Sequence, residues 1–145
     1  MIVAMASHDM TSCVFCQIVT GGASAHVVLD TPEVVAFLDF RPVFKGHTLV
    51  IPREHHVTLP DLPVESVQPF FSAVQMLSAV VPEALGAHGT FIAMNNVVSQ
   101  SVAHLHAHVV PRRRKDGLRG FFWPRVRYDD GEAAEYAARI AGALP

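Results

Sequence analysis

The chain is poor in net charge and cysteine and has no long apolar run, and each shortage removes a class of protein. Lys and Arg number 11 against 13 Asp and Glu, a formal charge of −2, so bulk electrostatics gives no drive toward nucleic acid. No run of 18 apolar residues occurs, so nothing in the sequence reads as a membrane span. The opening "MIVAMASHDM" lacks the basic region and full apolar core of a secretory signal. It reads as a flexible leader over residues 1–12, with Met5 and Met10 as alternative starts. Internal repeats and low-complexity segments are missing as well. These absences leave a soluble cytoplasmic protein as the expectation.

Only two cysteines are present, in 145 residues. A chain of that length buries roughly two-thirds of its unfolded surface and needs no disulfide staples. Half of the residues are hydrophobic and 17% are charged, which fits a single compact domain over residues 13–145, with a core at 13–112.

The pattern of the chain predicts α+β, with a five-stranded, mainly antiparallel sheet, one long helix and a C-terminal helix. "CVFCQIV" reads as a short helix or turn closed by Gly21 and Gly22. "HVVLD" and "EVVAFLDF" form β-rich runs around Thr31-Pro32, followed by "HTLVIP". Apolar residues at helical spacing between Ser66 and Leu85 predict a long helix, with Ser66 as N-cap, Pro69 in the first turn, a kink at Pro82 and an end at Gly86. "TFIAMN" and "HLHAHVVP" complete the strands, and "EAAEYAARIAGAL" the terminal helix. Between them lies "RRRKDGLRGFFWPR". Its Arg112, Arg113, Arg114, Lys115 and Arg119 read as a solvated face or as an attractor for polyphosphate, and its Phe121, Phe122 and Trp123 as pocket or packing residues.

What is abundant is histidine, nine in all. In "HLHAHVVPR" three of them, His104, His106 and His108, alternate. Strand side chains alternate faces, so these share one, while Leu105, Ala107 and Val109 take the core-facing side. Three imidazoles in register suit a metal site, a phosphate-handling catalyst or a polar strand face. A single ion is a poor fit, because the middle ring stands between the outer two. Cys13 and Cys16, in turn, have the spacing of a metal half-site or a redox pair.

"CVFCQIV", "VVAFLDFRPVFKGHTLVIPREHH" and "NNVVSQSVAHLHAHVVPR" together resemble, in order and spacing, the blocks of the histidine triad (HIT) superfamily of nucleotide hydrolases and nucleotidyl transferases. The likeness covers residues 13–112. It implies that His106 is a nucleophile forming a covalent nucleotidyl-histidine intermediate, and that His108, His47, Gln100 and Ser101 support it. It also implies that Asp39 reads the ribose, and that Asn95 and Asn96 lie on the loop that touches the sugar-phosphate. Phe15, Ile18, Phe37, Leu38 and Phe40 are candidates for the base pocket or for the core. Some members bind zinc, and the matching residues here are Cys13, Cys16, His55 and His104, with His56 the alternative to His55; the ion would be structural, and no organic cofactor is implied. His8, His26 and His88 read as surface residues.

The implied substrates are purine nucleotide conjugates, either dinucleoside polyphosphates or nucleoside phosphoramidates, and the implied assembly is a homodimer. Two rivals carry different chemistry: a nucleotide-binding regulatory module with little turnover, and a hydrolase that works through zinc-bound water.

Overall fold

The computed structural model describes residues 12–119 and 125–145. Residues 1–11 of the leader, with His8, and Phe121, Phe122 and Trp123 of the basic loop therefore lie outside the described residues. The chain divides into two compact units, Met1–Arg114 and Lys115–Pro145.

In the first unit α1 (Val14–Thr20) is followed by β1 (Val27–Asp30), β2 (Val34–Leu38) and β3 (Thr48–Pro52), then α2 (Val64–Leu85), β4 (Gly89–Ala93) and β5 (Ala107–Arg112). The five strands form one sheet in the order β1-β2-β3-β5-β4, and every neighbouring pair is antiparallel. The α+β expectation holds.

The central strands are buried on both faces, which explains why "VVAF" and "TLVIP" read as continuous apolar runs instead of alternating ones. Val34 and Ala36 of β2, Val50 of β3 and Ala107 and Val109 of β5 pack with Phe70, Val74 and Leu77 of α2. The intervening Val35, Phe37, Leu49 and Ile51 point the other way, onto Phe15, Cys13 and Cys16 at α1. The large helix thus covers one face of the sheet. On the other face, α1 supplies a smaller cover beside the histidines.

Two boundaries differ from the sequence expectation. The long helix begins at Val64 with Pro63 as its N-cap. The Ser66 amide already donates to the Pro63 carbonyl at 2.9 Å, so Ser66 lies in the first turn and Pro69 beyond it. The helix closes at Gly86 (φ 62°) as expected. The fifth strand begins at Ala107 instead of His104. Its ladder with β3 starts at the Val50–Ala107 pair, and Leu105 instead donates to the His56 carbonyl at 2.6 Å. Residues 104–106 have left the sheet to bond with the loop after β3.

One glycine is required by its backbone. Gly46 precedes His47 at φ +98°, a conformation L side chains rarely adopt, and a Cβ there would also press on the end of the Leu85 side chain. The turn that delivers His47 thus closes beside the end of α2 in a conformation that favours glycine.

In the second unit α3 (Glu132–Gly142) has no buried residue. Tyr136 contacts the Tyr128 ring at 5.8 Å, and the Arg139 guanidinium lies 5.4 Å from the Tyr136 ring centroid.

Candidate active site and metal centre

A groove of about 730 Å³ opens between α1, the end of β2 and the histidine segment, and Phe15, Ile18, Phe37, Asp39, His106 and His108 line it. Leu38, Phe40 and Ser101 also line it, so all five candidate base-pocket residues, the ribose candidate and two of the triad face one cavity. Phe15 and Phe37 are core as well as wall: both are buried, with ring centroids 5.3 Å apart.

Main-chain hydrogen bonds fix which ring nitrogen carries each proton. His106 Nδ1 lies 2.7 Å from the His104 carbonyl. A carbonyl only accepts, so Nδ1 donates, and in the neutral ring the lone pair is on Nε2. The Val43 amide donates to His47 Nδ1 at 3.1 Å, which puts the His47 proton on Nε2. That proton points at His108 Nδ1, 2.9 Å away. A neutral His108 must then carry its own proton on Nε2. The two rings are thereby tuned oppositely, His106 as an acceptor and His108 as a donor.

Burial keeps the donor ring neutral. It lowers the His108 pKa to about 4, with the nearby His106 and His47 adding to the effect, and it lowers that of His47 against an opposing pull from Asp39. Asp39 Oδ2 stands 3.7 Å from His47 Nδ1, and its Oδ1 accepts from the Arg41 amide at 2.8 Å.

A pH dependence follows from these shifts. An unfolded histidine titrates near ~6.5, so between that pH and about 4 the unfolded chain binds the extra proton and His108 does not. This contribution to stability is complete above about pH 6.5 and is lost as the pH falls toward the folded value. Thermal unfolding midpoints between pH 7.5 and 4.5 should fall less steeply in His108→Asn than in wild type. Equal slopes would contradict the assignment.

The remaining polar candidates are placed differently. Gln100 spends its amide on the main chain, donating to the Val57 carbonyl at 2.6 Å and accepting from the Val97 amide at 3.1 Å. Asn95 donates to the Ser99 carbonyl at 3.1 Å, and Asn96 accepts from the Leu59 amide at 2.8 Å. None of the three is among the groove-lining residues, and each shapes the loop that delivers Ser101. That loop holds Val97 (φ 70°) and Ser99 (φ 61°) in the left-handed region, a strained conformation for a β-branched residue and one that concentrates at functional sites.

Sequence reasoning missed Ser24, Ala25, His26 and Pro42, which also line the groove. His26 does so while exposed. The signal available was the hairpin itself, since the His26 carbonyl accepts from the Leu38 amide at 3.0 Å.

The first triad histidine turns away from this chemistry. His104 Nε2 donates to the Pro52 carbonyl at 2.9 Å, which leaves Nδ1 as an acceptor 3.5 Å from Cys13 Sγ and 3.6 Å from Cys16 Sγ. His55 Nδ1 lies 3.2 Å from Cys16 Sγ. The four donor atoms all fall within 4.8 Å of one another. Metal–ligand bonds of about 2.0–2.3 Å in a tetrahedron require donor separations of roughly 3.3–3.8 Å, so the set fits zinc. Its chemistry agrees, because burial lowers the His104 pKa to about 4 and keeps that ring neutral. Burial and the Cys13 hydrogen bond raise the Cys16 thiol to about 11, a cost that a bound cation reverses. His55, not His56, is the histidine in this set.

The chain belongs to the HIT domain family, which matches residues 20–115. A HIT family protein of Bacillus subtilis superposes with a TM-score of 0.84 at 32% identity, covering 92% of this chain and 98% of that one. An adenosine 5'-monophosphoramidase of Schizosaccharomyces pombe is 35% identical over 115 residues, 78% of this chain and 84% of its own length. A Zn-bound histidine triad family protein of Mycobacterium smegmatis is 38% identical with a TM-score of 0.71, covering 92% of this chain and 99% of that one.

Proposed function

We propose that the protein is a nucleotide hydrolase or nucleotidyl transferase that cleaves at the α-phosphate of purine nucleotide conjugates, through a covalent intermediate on His106. The observation that carries this is the His104 carbonyl holding His106 Nδ1, because it leaves the Nε2 lone pair for attack in a groove of nucleotide size. The monophosphoramidase relative supports the reaction class.

In the first step His106 Nε2 forms a bond to the α-phosphorus, and the bond to the leaving group breaks, its electrons going to the leaving atom, which takes up a proton from solvent. Water then attacks the phosphorus and gives up a proton to solvent, while the P–N bond breaks, returning the electron pair to Nε2 and releasing the nucleoside monophosphate; another acceptor in place of water makes the protein a transferase. Charge develops on the non-bridging oxygens, where His108 Nε2–H and the Ser101 hydroxyl are the donors. Asp39 accepts from the ribose hydroxyls, and the apolar walls take the base.

Cys13, Cys16, His55 and His104 would hold zinc. With four protein ligands the ion has no open position for substrate, so its contribution is structural. Cysteines that ligate a metal instead of forming a disulfide suit a reducing, cytoplasmic setting. Between Glu65 and Glu83 α2 has no charged residue and exposes Val67 and Phe71, one turn apart, an apolar patch suited to a second copy of the chain.

The purified protein should release AMP from adenosine 5'-phosphoramidate or from a diadenosine polyphosphate. Nucleotide binding without AMP release from either substrate would favour a regulatory binding module instead.

A further inference from the structure

We propose that the four-ligand centre governs the nucleotide groove, so that metal occupancy and nucleotide binding strengthen each other through Phe15 and His104. This rests on the nucleotide reading above and adds a regulation of the same site. Two routes, each made of direct contacts, run from the ligands to the groove.

The first route is α1. Its N-cap is Cys13, whose Sγ accepts from the Cys16 amide at 3.5 Å, and Cys16 lies in its first turn. Both ends of this turn are therefore ligands, and the residue between them that points inward is Phe15. Its ring meets the His104 ring edge-on at 5.8 Å, the His106 ring at 5.2 Å and the Phe37 ring at 5.3 Å. Phe15 is thus groove wall and nucleophile support at once, on a helix of seven residues too short to be stable alone. Packing on Val35, Phe37, Leu49 and Ile51 holds it, and ligation through Cys13 and Cys16 on either side would hold it more tightly.

The second route is the backbone of His104. Its ring donates to Pro52 on one side and presents Nδ1 to the thiols on the other, while its carbonyl receives the His106 Nδ1 proton. A ligand that fixes the His104 ring fixes the carbonyl that orients His106. His104 is a positioning residue as well as a ligand.

Linkage makes the effect reciprocal: if the metal tightens nucleotide binding by some factor, the nucleotide tightens metal binding by the same factor. AMP serves as the nucleotide probe, and Zn2+ affinity is read by competition with a chromophoric chelator. Saturating AMP should raise Zn2+ affinity by at least about fivefold, and the metal-depleted protein, checked for fold by circular dichroism, should bind AMP more weakly by the same factor. In Phe15→Leu, at AMP concentrations that saturate the variant, the AMP effect on Zn2+ affinity should be smaller than in wild type yet above unity, because the His104 route remains.

Because the depleted chain need not stay folded, Co2+-loaded protein provides an independent arm. AMP should shift its visible absorption in wild type, and by less in Phe15→Leu at saturating AMP. AMP binding by calorimetry with no change in Zn2+ affinity or in the Co2+ spectrum would overturn the linkage alone. Failure of the loaded protein to bind AMP at all would overturn the nucleotide reading and the linkage with it.

Discussion

Replacing His106 with alanine should lower kcat by roughly four orders of magnitude or more, while the nucleotide Kd moves by less than about threefold. The size of the loss follows from how the two flanking triad rings are committed. His104 has its Nε2 on the Pro52 carbonyl and its Nδ1 on the two thiols. His108 has its Nδ1 occupied by His47 and offers the groove only a proton. Neither ring has a free lone pair where the phosphorus would sit. His106→Asn provides a check on folding, since His106 is buried and truncation alone opens a cavity against Phe15. Steady-state kinetics with calorimetric AMP binding on both variants measures the split. A variant retaining a tenth of wild-type turnover would remove His106 from the bond-making step.

Removal of a metal held at the four-ligand centre is expected to weaken nucleotide binding and stability, and to lower turnover at saturating nucleotide only as the fold is lost. Three segments distant in sequence, at α1, after β3 and before β5, meet at Cys13, Cys16, His55 and His104. Without an ion they hold one another by weak thiol–imidazole contacts of 3.2 to 3.6 Å. Structural zinc contributes about 10–16 kcal/mol in small zinc domains. Here the sheet and α2 supply a core of their own, so only part of that free energy is at stake. Cys16→Ser, or chelation of the wild type, should lower the unfolding midpoint by about 10 °C or more. At saturating nucleotide, activity in chelator should decay on the timescale of unfolding. Instant loss, with the midpoint unchanged, would point to metal-bound water as the reagent.

The sequence announced these sites unevenly, for physical reasons. Alternation placed His104, His106 and His108 on one face, and the structure keeps them there. Alternation could not reveal that residues 104–106 leave the ladder with β3, because that depends on the Leu105 amide finding the His56 carbonyl. It is this departure that separates the metal-facing ring from the groove-facing pair. Phe15 and Phe37 could not be assigned to core or pocket from their type alone, and they turn out to be both. The amides of Gln100, Asn95 and Asn96 read as nucleotide contacts, yet their partners are main-chain groups, Val97 and Ser99 of their own loop and Val57 and Leu59 of the segment after β3. Bonds that tie one loop to another distant in sequence leave no spacing signature. The Ser66 boundary failed for a similar reason: a good N-cap residue also fits a first turn, and the carbonyl of Pro63 decided between them.

The most direct test of the covalent mechanism is to mix the protein with α-32P-labelled diadenosine polyphosphate, quench in the steady state and map the label by peptide mass spectrometry. The mechanism predicts a nucleotidyl adduct on the peptide containing His106, with the label on that residue and absent from His106→Ala. AMP release at full rate with no protein-bound label, or with label on another residue, would contradict it.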